Sequence, residues 1–170
     1  MKNLRKLFEE SLEEVKNVGI PYGNIVEVIA SSNLKKAWGT CRSNGKGGFI
    51  IKISTTLLTD DVSDNSTKET IIHEILHTCK GCMNHGSKWK YYADIINWKY
   101  KGKYNITRTT NEEDKGVEFN PRMYKYVIRC EKCGIQAGYN RICETVKATK
   151  LGYTQCIKCG GKFKLIKGNV

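Results

Sequence analysis

All three histidines of the chain fall in the stretch ETIIHEILHTCKGCMNHGSKW, residues 69–89. His73-Glu74-Ile75-Leu76-His77 has the form H-E-x-x-H. Residues four apart on a helix lie one turn above each other on one face, so two imidazoles can grip a single metal ion. That spacing predicts a helix through 73–77. A Cys-Met-Asn-His-Gly turn then lets the chain double back and deliver His85 as a third ligand. Three protein ligands on zinc leave one position open to water, whose pKa the metal lowers. Glu74 sits about 100° around the helix from His73. It therefore stays off the metal and lies where it can act as general base.

The flanking residues agree with a helix. Ile71, Ile72, Ile75 and Leu76 form an apolar stripe. Ser66 and Glu69 stand in the S-x-x-E relation of a capping box, which places the start near Thr67. GCMNHG breaks this helix, and Ser87 can cap a second one with Trp89, Tyr92, Ile95 and Ile96 facing inward. Upstream, Leu4, Leu7, Phe8, Leu12 and Val15 have helical spacing. IVEVIA (25–30) and KAWGTCRSNGKGGFIIKIS (36–54) read as strands, the latter as a hairpin around Asn-Gly, giving a small, largely antiparallel sheet.

The C-terminal part obeys a different rule. RCEKCG (129–134) and QCIKCGG (155–161) are two C-x-x-C-G knuckles 22 residues apart. Cys130, Cys133, Cys156 and Cys159 make a four-thiolate set suited to a closed, structural zinc site. Metal would then hold together a segment too short to fold on its own core. Cys79 and Cys82 form a third C-x-x-C, read as packing around the turn, and Cys143 as a spare core residue. The expected organisation is a domain over 1–105, a polar linker over 106–123 and a four-cysteine ribbon over 124–170. Two zinc ions are expected per chain, one catalytic and one structural.

Charge separates the two parts. Residues 1–100 hold 14 Lys+Arg against 11 Asp+Glu, a net +3, and residues 101–170 hold 15 against 6, a net +9. In the ribbon, Lys125, Arg129, Arg141, Lys150, Lys162 and Lys164 are interleaved with Tyr139 and Tyr153. Cations for phosphates beside aromatic faces for bases suit single-stranded nucleic acid. Nucleic acid is the expected partner. No apolar run reaches the roughly 18–20 residues of a membrane span, and the N-terminal helix carries four glutamates, unlike a signal peptide. A cytoplasmic protein is expected, and the abundance of Lys, Asn and Ile fits an AT-rich bacterial or phage genome.

Three segments together resemble the SprT-like family, to which the Spartan DNA–protein crosslink proteases belong. TIIHEILHT is similar to the family's metal helix, NHGSKWK (84–90) to its H-G-x-x-W segment, and AWGTCRSNGKGGFIIKIS (37–54) to its W-G-x-C hairpin. The resemblance implies an α+β fold: a compact zincin-like domain, with a small sheet beside the metal helix, followed by a zinc ribbon. It implies His73, His77 and His85 as zinc ligands and Glu74 as catalytic acid/base. It further implies a zinc metalloprotease acting on proteins bound or crosslinked to DNA. The alternative is a non-proteolytic nucleic-acid-binding or regulatory protein that works through the basic ribbon.

Overall fold

The computed structural model describes residues 1–34, 37–110, 115 and 121–169. The chain divides into two compact units, Met1–Glu118 and Phe119–Val170. Among the described residues, no helix is long and apolar enough to cross a membrane.

The first unit opens with α1 (Leu4–Asn17), whose N-cap Asn3 accepts from the Lys6 amide. Leu7, Ser11 and Val15 form its buried face. The sheet follows: β1 (Ile25–Ser31), β2 (Gly39–Ser43) and β3 (Phe49–Ser54), in spatial order β1-β3-β2. β2 and β3 form the expected antiparallel hairpin. Its turn is held by Asn44 Oδ1, which accepts from the amides of Lys46 and Gly48, while Gly45 and Gly47 take positive φ. β1 pairs parallel to β3, so the sheet is mixed rather than largely antiparallel. Alternating hydrophobicity reports which face of a strand is buried, not which strand lies beside it. Here β3 takes the centre, with Ile51 and Ile53 fully buried.

α2 (Asp64–His77) starts three residues before the expected Thr67, because Ser63 caps it and accepts from the Ser66 amide at 3.1 Å. The capping box of Ser66 and Glu69 does not form. Glu69 instead accepts from the Asn105 amide at 2.7 Å and from Lys115 Nζ at 2.9 Å. Ile71, Ile72, Ile75 and Leu76 are all fully buried, as their stripe requires. α2 is also buried on its flank towards α1. There Lys68 is 5% exposed and pairs with Glu10 at 3.1 Å and Glu14 at 2.8 Å.

α3 (Ser87–Lys99) has Gly86 at its N-cap, so Ser87 is the first helical residue and not the cap. Trp89, Ala93 and Ile96 are buried, and Tyr92 and Ile95 pack partly against the same core. Beyond α3 the chain turns back over α2. Tyr104 and Ile106 are buried, and the Asn97 side chain holds both the amide (2.7 Å) and the carbonyl (2.9 Å) of Ile106. The start of the expected linker is thus part of the first unit's packing. Most of its remainder lies outside the described residues.

The second unit is a sheet of β4 (Tyr126–Cys130), β5 (Gln136–Tyr139) and β6 (Phe163–Lys167), antiparallel in the order β5-β4-β6. A short helix, α4 (Glu144–Lys150), buries Val146 and Thr149. This helix was not expected from the sequence, which reads only as short strands between knuckles. Among the described residues, Val127, Ile128 and Val146 are the second unit's buried aliphatic side chains.

Candidate metal centres

α2 stacks His73 and His77 one turn apart, and the 78–86 turn brings His85 to the same point. His73 Nε2 lies 3.2 Å from His77 Nε2 and 2.9 Å from His85 Nε2. The tautomers decide what these distances mean. His73 Nδ1 lies 3.0 Å from the Thr107 carbonyl, and His77 Nδ1 lies 2.7 Å from the Cys82 carbonyl. A carbonyl only accepts, so each Nδ1 must carry the proton, and each neutral ring turns an Nε2 lone pair inward. Two lone pairs facing each other at 3.2 Å are not a hydrogen bond. They are a ligand set, since tetrahedral zinc with Zn–N of about 2.0–2.1 Å separates its nitrogens by roughly 3.4 Å. The donor set is therefore compatible with zinc, and backbone carbonyls orient two of the rings from behind. Burial holds all three imidazoles below their ordinary pKa, His73 down to about 3, which keeps them in the neutral, ligating form.

Trp89 of the H-G-x-x-W segment backs the cluster. Its ring centroid lies 4.7 Å from His73, 5.7 Å from His77 and 4.7 Å from His85. Cys79 and Cys82 are buried in the core, where they pack as the sequence reading expected. Cys82 has a further part through its carbonyl, which no side-chain pattern announces.

Glu74 is 6% exposed and faces β2. Burial alone pushes its carboxyl up to about 8. Gly39 of the W-G-x-C segment makes room for it: a Cβ there would lie 2.7 Å from Glu74 Cγ and 2.8 Å from its Oε1. Cys41, two residues on, is half-buried, and burial together with the Glu74 charge pushes its thiol up to about 12. A cavity of about 250 Å³ opens beside this carboxyl, lined by Trp38, Gly39, Thr70, His73, Glu74 and Arg108 among others. The strap over 105–110 forms one wall, and Trp38 Nε1 donates to the Thr110 carbonyl at 3.4 Å across it. Sequence reasoning missed the strap. Its one signal was the apolar pair Tyr104 and Ile106 inside a polar stretch.

In the ribbon, Cys130 Sγ lies 3.5 Å from Cys159 Sγ, and Cys133 Sγ lies 3.7 Å from Cys156 Sγ. All four sulfurs fall within 4.8 Å of one another. Tetrahedral zinc with Zn–S near 2.3 Å needs sulfurs roughly 3.8 Å apart, so this set is compatible with zinc as well. The knuckle glycines Gly134 and Gly160 take positive φ, which turns their amides onto the Cys130 and Cys156 carbonyls. Protons leave such a cluster as a set. The Cys133 amide holds the Cys130 thiol below its ordinary range. Against the pull of the Gly161 amide, burial and the neighbouring sulfurs hold Cys159 up.

The ribbon cations Lys125, Arg129, Arg141, Lys150, Lys162 and Lys164 are all exposed. Tyr153 is 79% exposed, whereas Tyr139 is half-buried. The sheet register sets Arg129 directly opposite Lys164. Cys143 is half-buried at the N-cap of α4.

The SprT-like family model matches residues 4–112, more than half of the chain and nearly all of the unit that holds the histidines. The chain belongs to the SprT-like family. It is also 23% identical over 148 residues to the Germ cell nuclear acidic-1 protein of Caenorhabditis elegans, a match covering 84% of this chain. The chain spans a quarter of that protein's length. No solved structure matches it. The matched region of this SprT-like protein contains the whole histidine cluster, Glu74, Gly39 and the strap that orients His73.

Proposed function

We propose that this SprT-like protein is a zinc metallopeptidase that acts on proteins bound or crosslinked to DNA. One observation carries the peptidase reading. Glu74, a carboxyl buried against Gly39, stands one residue from His73 in a set of three converging imidazole nitrogens and opens onto a cavity. A site built only to hold structure has no need of that carboxyl.

His73, His77 and His85 would hold the zinc, which when bound supplies Lewis acidity to a substrate carbonyl and acidifies water. The remaining work belongs to the chain. Glu74 takes the proton of the attacking water and returns it to the leaving amine. The Gly39 contact limits where Glu74 can move. β2 is one of the two edge strands of its sheet and lies against α2, so the backbone groups it leaves unpaired among the described residues are available to an extended peptide. The cavity beside Glu74 would then take a substrate side chain.

The ribbon supports the DNA part of the reading. Like charges directly opposite on a sheet destabilise it, and Arg129 and Lys164 stand so. A phosphate between them removes the penalty.

The test is cleavage of a basic DNA-binding protein by the zinc-loaded chain, with and without single-stranded DNA, beside Glu74→Gln. Fragments that require Glu74 establish the peptidase, and fragments that also require DNA establish the association. No fragments under any condition, with zinc bound at both centres, would sink the peptidase reading.

A further inference from the structure

α3 presents two unlike faces. Its inner face carries Trp89, Ala93 and Ile96, exposed to 2%, 2% and 0%, and Trp89 packs against the three imidazoles. Its outer face carries Tyr91 at 61% and Trp98 at 81% exposure. Seven residues on a helix return to within about 20° of the same direction, some 10.5 Å further along the axis. The two rings therefore line one stripe, with half-buried Ile95 between them. Lys88 and Lys99 flank the stripe on one side and Lys90 on the other, all exposed, and exposed Lys101 follows just beyond the end of the helix. Lys88 spends one N–H on the Lys80 carbonyl and lies 5.9 Å from the Tyr92 ring. Asp94, the one carboxylate of the helix, is three residues from Tyr91 and four from Trp98 and so stands between the two rings on the Lys90 side.

Single exposed apolar residues need no explanation. Two large rings in register on a rigid helix, among three lysines and one carboxylate of that helix, do. Lysines placed for solubility do not call for an indole between them. The charge decides the occupant: a flat aromatic stripe with cationic borders complements stacked bases joined by phosphates.

We propose that the outer face of α3 is a stacking platform for single-stranded DNA, with bases on Trp98 and Tyr91 and phosphates on the bordering lysines. This rests on the nucleic-acid part of the function proposed above and not on its proteolytic part. The platform uses none of the ribbon cations. It lies on the helix that backs the metal cluster, about one helix diameter (10–12 Å) from the imidazoles. A protein held on that strand would be presented within reach of the cluster.

The experiment is fluorescence anisotropy of a labelled oligothymidylate with the full-length, zinc-loaded chain. Tyr91→Ala/Trp98→Ala is compared with a ribbon variant, Arg129→Ala/Lys164→Ala. Because the two rings are exposed, zinc content and urea midpoint should match wild type. Binding should fall roughly tenfold or more, the loss expected for two stacking positions. Photocrosslinks from a halogenated-uracil oligonucleotide should map to the peptide containing residues 91–98. If the aromatic variant binds as wild type and only the ribbon variant loses affinity, the platform is refuted while the nucleic-acid reading stands. If wild type binds no oligonucleotide even at low salt, both fall.

Discussion

Gly39 and Glu74 touch: a methyl group on Gly39 would stand 2.7 Å from Glu74 Cγ and 3.0 Å from Thr70 Cγ2. The edge strand and the metal helix approach this closely because position 39 has no side chain. Gly39→Ala must either displace the buried carboxyl or part β2 from α2. Overpacking of this kind costs about 1–3 kcal/mol. The expected outcome is an unfolding free energy lowered by that amount in urea titration, with zinc retained by His73, His77 and His85. If Glu74 is the proton shuttle, cleavage should drop at least tenfold. A variant with full stability and full activity would show that the contact does not position Glu74.

The two centres should respond differently to loss of metal. The first unit has a broad apolar core reaching from Leu7 to Ile106, whereas the second buries few aliphatic side chains around its four sulfurs. Chelation should therefore unfold residues 121–169 and leave the first unit folded, because metal binding is most of the folding energy of such a ribbon. Two zinc ions per chain are expected by native mass spectrometry. His77→Ala should remove one and Cys156→Ala the other. A ribbon that keeps its β-sheet spectrum after chelation would contradict this account.

Glu14 gives the first unit a pH dependence. Burial raises its carboxyl, but hydrogen bonds from Lys103, Lys68 and Tyr104 outweigh that, so its pKa lies below the ordinary range. Burial likewise opposes the Lys68 charge, and its bonds to Glu14 and Glu10 outweigh it, so its pKa is raised. A depressed carboxyl contributes stability above its unfolded value, near 4.3, and loses it as pH falls through the folded value. A raised lysine contributes below about 10.4 and loses it as pH rises through its folded value. The network should give a plateau from about pH 5 to 10 with losses on both sides. Lys68→Met should cost about 3 kcal/mol, the low end for a broken buried pair because Lys103 and Tyr104 still hold Glu14. It should also flatten the acid limb in urea unfolding followed across pH. An unchanged limb would place the acid sensitivity elsewhere.

Much of the histidine centre is legible in the sequence because its parts are local. Helical spacing stacks His73 on His77, and a short turn returns His85. The four sulfurs are legible because two knuckles of fixed spacing can converge on one ion. Much of what stayed hidden depends on contacts across long separations or on backbone groups. The parallel pairing of β1 with β3 leaves no mark in either strand. Ser63 rather than Ser66 caps α2, because Glu69 is drawn 36 residues away to the Asn105 amide. The carbonyls of Thr107 and Cys82 orient two ligands, and a backbone carbonyl has no sequence signature. α4 was missed because seven residues with two buried side chains show little periodicity.

The strap that carries Thr107 hangs on Asn97. Its side chain accepts from the Ile106 amide and donates to the Ile106 carbonyl, closing the chain over α2 one residue before the carbonyl that holds His73 Nδ1. Asn97→Leu keeps the approximate volume and removes both bonds. The Ile106 amide and carbonyl then lose their partners, at about 1–3 kcal/mol each where water cannot replace them. Freed from its anchor, Thr107 would hold the His73 ring less well, and loss of such an orienting partner lowers metal affinity by roughly 10–100-fold. The expected result is a tenfold or greater loss of zinc affinity at the histidine centre in chelator competition. Faster amide exchange over 104–110 and unchanged affinity at the ribbon should accompany it. If exchange over the strap quickens while zinc affinity holds, the Thr107 carbonyl does not set the His73 ring, and its orientation comes from Trp89 alone.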